Sequence, residues 1–76
     1  MSAKLLDPVV LRKDLPEHSL KTGDIGAVVG VYAPDGLEVE FVTGSGRTQA
    51  LVTLNQSDVR SIEDRDILAV RSLAAA

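Results

Sequence analysis

The single histidine of this 76-residue chain is its first candidate for chemistry, because imidazole is both a metal ligand and an acid–base group near neutral pH. His18 stands in the segment D-L-P-E-H, where Asp14 and Glu17 are the nearest carboxylates. A zinc site here would need both carboxylates, since the chain has no cysteine, and a loop gives such ligands no fixed geometry. We therefore predict a surface-loop role for His18 and no metal site.

Two serines are the candidates for nucleophilic catalysis. Ser45 and Ser57 lie in no motif that would activate a hydroxyl, and a single histidine makes a Ser-His-acid arrangement improbable. Ser45 stands between two glycines, but the lysine, the Ser/Thr and the helix of a phosphate-binding loop do not follow. The sequence therefore predicts a hairpin turn at this point, no catalytic residues and no cofactor.

Two acidic residues at alternate positions, Glu38 and Glu40, are the remaining candidates. Spacing of i and i+2 places both carboxylates on the same face of a strand. Acidic residues on the outer face of a strand usually serve solubility and protect the sheet edge. We interpret this pair as a solvated face rather than as an acid–base pair.

The length and charge of the chain limit the number of domains, the location and the classes of partner that are possible. A chain of this size predicts one domain, residues 1–76, whose folding removes roughly 60–65% of the unfolded surface from water. No stretch is apolar enough for a signal peptide or a membrane span, so a cytoplasmic location is expected. The formal net charge of −3 argues against the wide basic surface of a non-specific nucleic-acid binder.

Turn-forming residues divide the chain into five apolar stretches, which predict five β-strands. Gly23 and Asp24 supply turn chemistry before the longest stretch, and Pro34 and Gly36 mark the next hairpin. In residues 37–42 the apolar side chains alternate cleanly with glutamates, as in a half-buried antiparallel strand. The predicted strands are residues 9–11, 25–32, 37–42, 48–54 and 59–62.

The order of these strands and loops predicts the fold class. A longer loop follows the first strand, and residues 55–58 suit a single helical turn before the last one. This is the strand pattern of a small all-β, five-stranded Src-homology-3-like (SH3-like) barrel, closed or nearly closed. Leu15 and Leu20 are expected to complete the core from the loop. The side chains predicted inside the barrel are Val10, Ile25, Val29, Val39, Phe41, Val52 and Ile62.

The C-terminal residues 67–73 are too apolar for a solvated tail. We predict an additional strand here, with a helix opened by Ser61 and Asp64 as the less favoured alternative. An apolar strand at a sheet edge must be paired, covered or blunted by charge, and only Arg71 supplies charge. The strand is therefore expected to add to an edge of its own sheet or of a second subunit, which would make a homodimer.

The stretch between Val9 and Arg60 also resembles a known family. The resemblance is carried by D-L-P-E-H-S-L, K-T-G-D-I-G-A-V-V-G-V-Y, L-E-V-E-F-V, L-V-T-L and D-V-R. The family consists of small bacterial proteins known only as a domain of unknown function, and K-x-G-D-x-G-x-V recurs in barrels of the KOW type. The resemblance implies a barrel fold and a neighbouring gene product as partner, bound as by an antitoxin or immunity-like protein. It implies no catalytic residues.

The function predicted from these observations is a non-catalytic module that binds another protein or a second copy of itself. The alternative is a nucleic-acid-associated KOW-like module, in which Tyr32, Arg47, Arg60 and Lys21 would form a platform. One tyrosine, one phenylalanine and an excess of acids argue against that alternative, because stacking recognition uses several aromatics interleaved with cations. The candidate binding residues are Tyr32, Arg47, Arg60, Ile67, Leu68, Val70 and Arg71.

The alternation in residues 37–42 generates a first testable prediction. Phe41→Ala should cost roughly 3–5 kcal/mol, because it empties a core position and a domain this small has little stability to lose. Glu40→Ala, on the opposite face, should change stability little. Comparable melting temperatures for the two variants in thermal denaturation would contradict the assignment of this face.

Overall fold

The structure, a computed structural model, describes residues 3–73 and is built on one antiparallel sheet. Its order is β4-β3-β2-β1-β5. The prediction of an all-β chain with five strands is confirmed, and each predicted boundary lies within one residue of the observed one. The strands are β1 (Pro8–Leu11), β2 (Ile25–Tyr32), β3 (Gly36–Val42), β4 (Thr48–Asn55) and β5 (Val59–Ser61).

Short turns join β2, β3 and β4 into a meander, and a 3-10 turn over Gln56–Asp58 leads into β5. The predicted helical turn is therefore confirmed. The Asn55 N–H donates to Asp58 Oδ2 at 2.9 Å, which satisfies a backbone donor where β4 ends. The chain then crosses to the other side of the sheet, where β5 pairs with β1.

The sheet is open. Strands β4 and β5 form its two edges, and no ladder joins them within residues 3–73, so the predicted closure into a barrel is not found. After the 3-10 turn, which follows β4 directly, the chain runs to the opposite edge of the sheet. All three residues of β5 then pair with β1.

The core lies on the inner face of β3 and β4, where the predicted alternation is confirmed. Leu15 and Leu20 pack into it from the loop after β1, as expected, and the Leu15 N–H donates to the Leu20 carbonyl at 2.9 Å. Val10, Val39, Phe41 and Val52 are buried as predicted. The whole of residues 9–11 is also buried, which confirms a first strand covered on both faces.

Three of the residues predicted inside are not buried. Ile25 and Val29 are 38% and 41% exposed, and Ile62 is half-buried just beyond the end of β5. In β2 the buried positions are instead Gly26 and Val28. A register shift between Val28 and Gly30 then leaves Val29 as the extra residue of a β-bulge, so simple alternation fails along this strand.

Gly26 occupies the inner face because no side chain fits there. A Cβ at this position would lie 2.6 Å from Val39 Cγ1 and 2.8 Å from Phe41 Cε2. The side chains of β3 therefore pack directly against the backbone of β2, which only glycine permits. Because Gly26 supplies no side chain, the core depends here on the larger side chains of β3.

The additional C-terminal strand predicted for residues 67–73 is wrong. These residues form neither strand nor helix. A turn in which the Asp66 N–H donates to the Glu63 carbonyl at 3.0 Å redirects the chain just after β5. Side-chain contacts, rather than a ladder, then hold the rest of the segment. None of the helical segments in residues 3–73 has the length and hydropathy needed to span a membrane.

The close packing at Gly26 generates a second prediction. Gly26→Ala should cost about 1–3 kcal/mol, because the added methyl group forces Val39, Phe41 or the strand itself to shift. In a domain of this size each kcal/mol lowers the melting temperature by about 4–8 °C. Gly44→Ala is the matched control, since no atom of residues 3–73 outside its chain neighbours lies within 4 Å of a Cβ there. Equal melting temperatures for the two variants would show that the sheet accommodates the methyl group.

Candidate functional site

The C-terminal segment, residues 62–73, is the most unusual surface of the described chain. Ile67 and Val70 are 90% and 99% exposed, and Leu68 is also exposed. A groove of about 510 Å³ runs between residues 69–73 and the end of the sheet where β3 finishes and β4 begins. The segment therefore holds apolar side chains in water while lying against the sheet.

The first attachment of this segment is the pair Arg60–Asp66. Arg60 donates from Nη1 to Asp66 Oδ2 at 2.8 Å and from Nη2 to Asp66 Oδ1 at 3.0 Å, in the bidentate geometry that suits guanidinium and carboxylate. The Glu63 N–H also donates to Asp66 Oδ2, at 2.7 Å. Arg60, and secondly this backbone donor, lower the pKa of Asp66 from 3.8 to about 2.

The second attachment is the pair Arg71–Asp24, which joins residues 47 positions apart. Arg71 donates from Nε to Asp24 Oδ1 at 2.8 Å and from Nη2 to Asp24 Oδ2 at 2.6 Å, and also to the Ser19 carbonyl at 3.0 Å. Asp24 is oriented by its turn, because the Lys21 N–H donates to Oδ2 at 2.8 Å. Arg71 lowers the pKa of Asp24, with a smaller contribution from the Lys21 N–H.

Tyr32 and Arg47, two of the four residues of the alternative nucleic-acid platform, lie at opposite ends of β3. Tyr32 pairs with Gly36 where β3 begins, and Arg47 lies in the turn after β3, where its carbonyl accepts from the Thr43 N–H. Seven residues of strand, about 3.4 Å each, separate the two side chains. Arg60 is engaged by Asp66, so the structure does not assemble these residues into one platform.

His18 is half-buried in the loop between β1 and β2, and its carbonyl accepts from Gln49 Nε2 at 3.2 Å. The carboxylate of Asp14 accepts from both the backbone N–H and the hydroxyl of Thr22, which lowers its pKa. Asp14 therefore stabilises a turn. Within residues 3–73 no group of three His, Asp or Glu side chains is placed to hold a metal ion.

Two residues of the site, Asp24 and Asp66, were not identified from the sequence. Asp24 was interpreted only as a turn residue, and its partner Arg71 as a charge that blunts an edge strand. The sequence signal that was available for this pair is the isolated cation within an apolar run, and it does not identify the carboxylate that Arg71 binds. Asp66 carried no signal beyond its place six residues after Arg60.

These observations define a small all-β domain, an open five-stranded sheet, followed by an attached apolar segment. The chain belongs to the family described as a domain of unknown function (DUF4926), whose model matches residues 5–61. The match ends with the last residue of β5, so it covers the sheet and leaves the C-terminal segment outside. No curated protein and no solved structure matches the sequence.

The Arg60–Asp66 pair generates a third prediction, which concerns pH. Because the pKa of Asp66 in the folded chain lies below its ordinary value of 3.8, the pair is fully formed above that pH and is lost as pH falls through about 2. Arg60→Gln removes the larger cause, so the pKa of Asp66 should rise towards 3.8. The measurement is an NMR titration of the Asp carboxyl carbons.

Asp24 provides the internal control for this titration. Its pKa is lowered mainly by Arg71, so Arg60→Gln should leave it unchanged. An Asp66 pKa that is the same in both proteins would show that Arg60 does not hold the segment in solution.

Proposed function

We propose that the protein is a non-catalytic protein-binding module that contacts its partner through the C-terminal segment. The observation that carries this proposal is the combination of exposed apolar side chains, above all Ile67 and Val70, with bidentate attachment at Asp66 and Arg71. A solvated linker would not be expected to combine apolar side chains with two such attachments.

The energetics of the segment support this proposal. Full burial of an Ile, Leu or Val side chain contributes about 1.5–3 kcal/mol of favourable free energy. The exposed apolar side chains of residues 67–70 do not obtain this free energy in the isolated chain. Ordering the backbone costs about 1–2 kcal/mol per residue, and here the attachments oppose that cost before a partner arrives. A preordered segment therefore loses less entropy on binding than a free one.

A neighbouring gene product, bound as by an antitoxin or immunity-like protein, is the partner class that we propose, because the family resemblance implies it. We propose a cytoplasmic setting, in keeping with a chain free of cysteine. Glu38 and Glu40, the two carboxylates considered above as an acid–base pair, support a non-catalytic role. Glu38 accepts from the Thr53 hydroxyl at 2.7 Å and Glu40 from the Thr48 hydroxyl, so both make cross-strand hydrogen bonds.

For the fold, we propose an open variant of the SH3-like arrangement. The strand order, the long loop between β1 and β2 and the 3-10 turn before β5 support this relationship. The arrangement leaves the two edge strands and the C-terminal segment available for contacts. Protein binding therefore requires no pocket in this proposal.

The proposal predicts that binding depends on the exposed apolar side chains of the segment. The double variant Ile67→Ser/Val70→Ser should abolish capture of the partner from a lysate of the native host, and any self-association seen by sedimentation velocity. Neither residue contributes to the core, so circular dichroism should be unchanged.

The matched control replaces apolar side chains that are also exposed but lie elsewhere, in Leu6→Ser/Val31→Ser. It should retain the partner. Arg71→Ala should weaken capture without abolishing it, because the segment keeps its apolar side chains but loses one attachment. Equal capture by the wild type and the Ile67→Ser/Val70→Ser variant would refute the proposal.

A further inference from the structure

The outer edge of β4 presents unpaired backbone groups. The Gln56 N–H donates to the Asp35 carbonyl at 2.9 Å. In an antiparallel ladder every second residue bonds to the same neighbouring strand, so residues 54, 52 and 50 also bond to β3. The backbone groups of Leu51, Thr53 and Asn55 must then point away from β3. The bond from the Asn55 N–H to Asp58 Oδ2 agrees with this phase.

Within residues 3–73, Leu51 and Thr53 find no backbone partner on that side. Two N–H and two C=O groups are thus ready to pair with an added strand. Thr48–Asn55 is eight residues long and contains no charged residue and no proline, the usual protections of an edge strand. An edge of this kind is suited to pairing with another strand.

A groove of about 500 Å³ lies beside this edge. The loop between β1 and β2 forms its other wall, with Lys13, Leu15 and His18 facing residues 51–55 of β4. The groove is open to solvent. It therefore offers one extended chain a place next to the unpaired backbone groups.

Charge on the neighbouring strand indicates which chain would fit. The side chains of Glu38 and Glu40 lie on the outer face of the sheet, and both carboxylates lean towards β4 onto the Thr53 and Thr48 hydroxyls. Strands are spaced about 4.8 Å apart. The side chain of a lysine on an added strand would therefore pass over only one residue of β4, Leu51 or Thr53, to reach a glutamate of β3. Its aliphatic stem would lie over Leu51, with the ammonium group at the carboxylate.

We propose that the β4 edge binds an extended, lysine-bearing peptide segment of a partner protein, which adds to the sheet as a sixth strand next to β4. Main-chain hydrogen bonds to Leu51 and Thr53 provide the affinity, and Glu38 and Glu40 select for the basic side chains. A second copy of this chain fits less well, because its own β4 brings no cation to these glutamates.

This inference goes beyond the proposed function, since it concerns a different surface and a defined ligand chemistry. The β4 edge lies inside residues 5–61, which the family model matches, whereas the C-terminal segment lies outside. Variants of Ile67 and Val70 should leave peptide binding at β4 unchanged. Failure of one proposal is therefore distinguishable from failure of the other.

The test is an NMR titration of the ¹⁵N-labelled full chain with three capped hexapeptides. The first alternates lysine and valine, the second alternates Nα-methyl-lysine and valine, and the third alternates glutamate and valine. A lysine opposite Leu51 or Thr53 points its own N–H at β4, so the second peptide keeps the charge but lacks the donors that face β4. The third keeps the donors but reverses the charge. We expect saturable shifts of the Leu51 and Thr53 amides with the lysine–valine peptide, and affinities at least about tenfold weaker with the other two.

Two protein variants complete the experiment. Leu51→Pro removes an outward N–H that makes no bond to β3, a substitution that edge strands tolerate, and should weaken binding about tenfold. Glu38→Gln/Glu40→Gln should reduce the preference for lysine over glutamate. If Leu51→Pro does not fold, the comparison between the lysine–valine and Nα-methyl-lysine–valine peptides decides alone.

Three outcomes would overturn the inference. Shifts confined to residues away from β4 would place the peptide elsewhere. Equal affinity for the lysine–valine and Nα-methyl-lysine–valine peptides would show attraction by charge without strand addition. Dimerisation of the wild-type chain that Leu51→Pro abolishes would show that β4 pairs with a second copy instead.

Discussion

The contact between the side chains of β3 and the bare backbone of β2 at Gly26 is the constraint on which the sheet depends. With Val39 Cγ1 only 2.6 Å from the position of a Cβ, the side chains of β3 fill the space that a side chain at position 26 would need. The inner face of β2 then holds only one large side chain, Val28, before the bulge. The rest of the core must come from the other four strands, the loop leucines and Ala3, which is the observed distribution.

The sequence was a good guide where one signal decided the structure. Alternation placed the inner faces of β3 and β4 correctly, and turn residues bounded the strands to within one residue. It failed in β2, where β-branched residues stand on both faces of a bulged strand. Alternation does not indicate which face is buried there, and Ile25 and Val29 were placed inside. The packing at Gly26 was equally hidden from the sequence, because it involves side chains of β3 more than ten positions away.

The candidate site was less predictable than the fold. Residues 67–70 were expected to pair as a strand with a sheet edge. In the structure, side-chain contacts hold the segment instead, and Ile67 and Val70 stay in water. The Arg71–Asp24 pair spans 47 positions, and a single sequence offers no spacing rule for such a contact. The open edge of β4 could not be predicted from the sequence either, because alternation predicts strands but not whether a sheet closes.

Under the proposed function, the attachment of the C-terminal segment has a consequence for the speed of recognition. A disordered segment must find its bound shape during or after each encounter, whereas Arg60 and Arg71 hold this one beside the sheet beforehand. Association can then proceed at the rate of preformed surfaces, on the order of 10⁵–10⁷ M⁻¹s⁻¹. Differences between cognate and non-cognate partners would then appear mainly in how long the complex lasts, because a ready surface meets every candidate at a similar frequency.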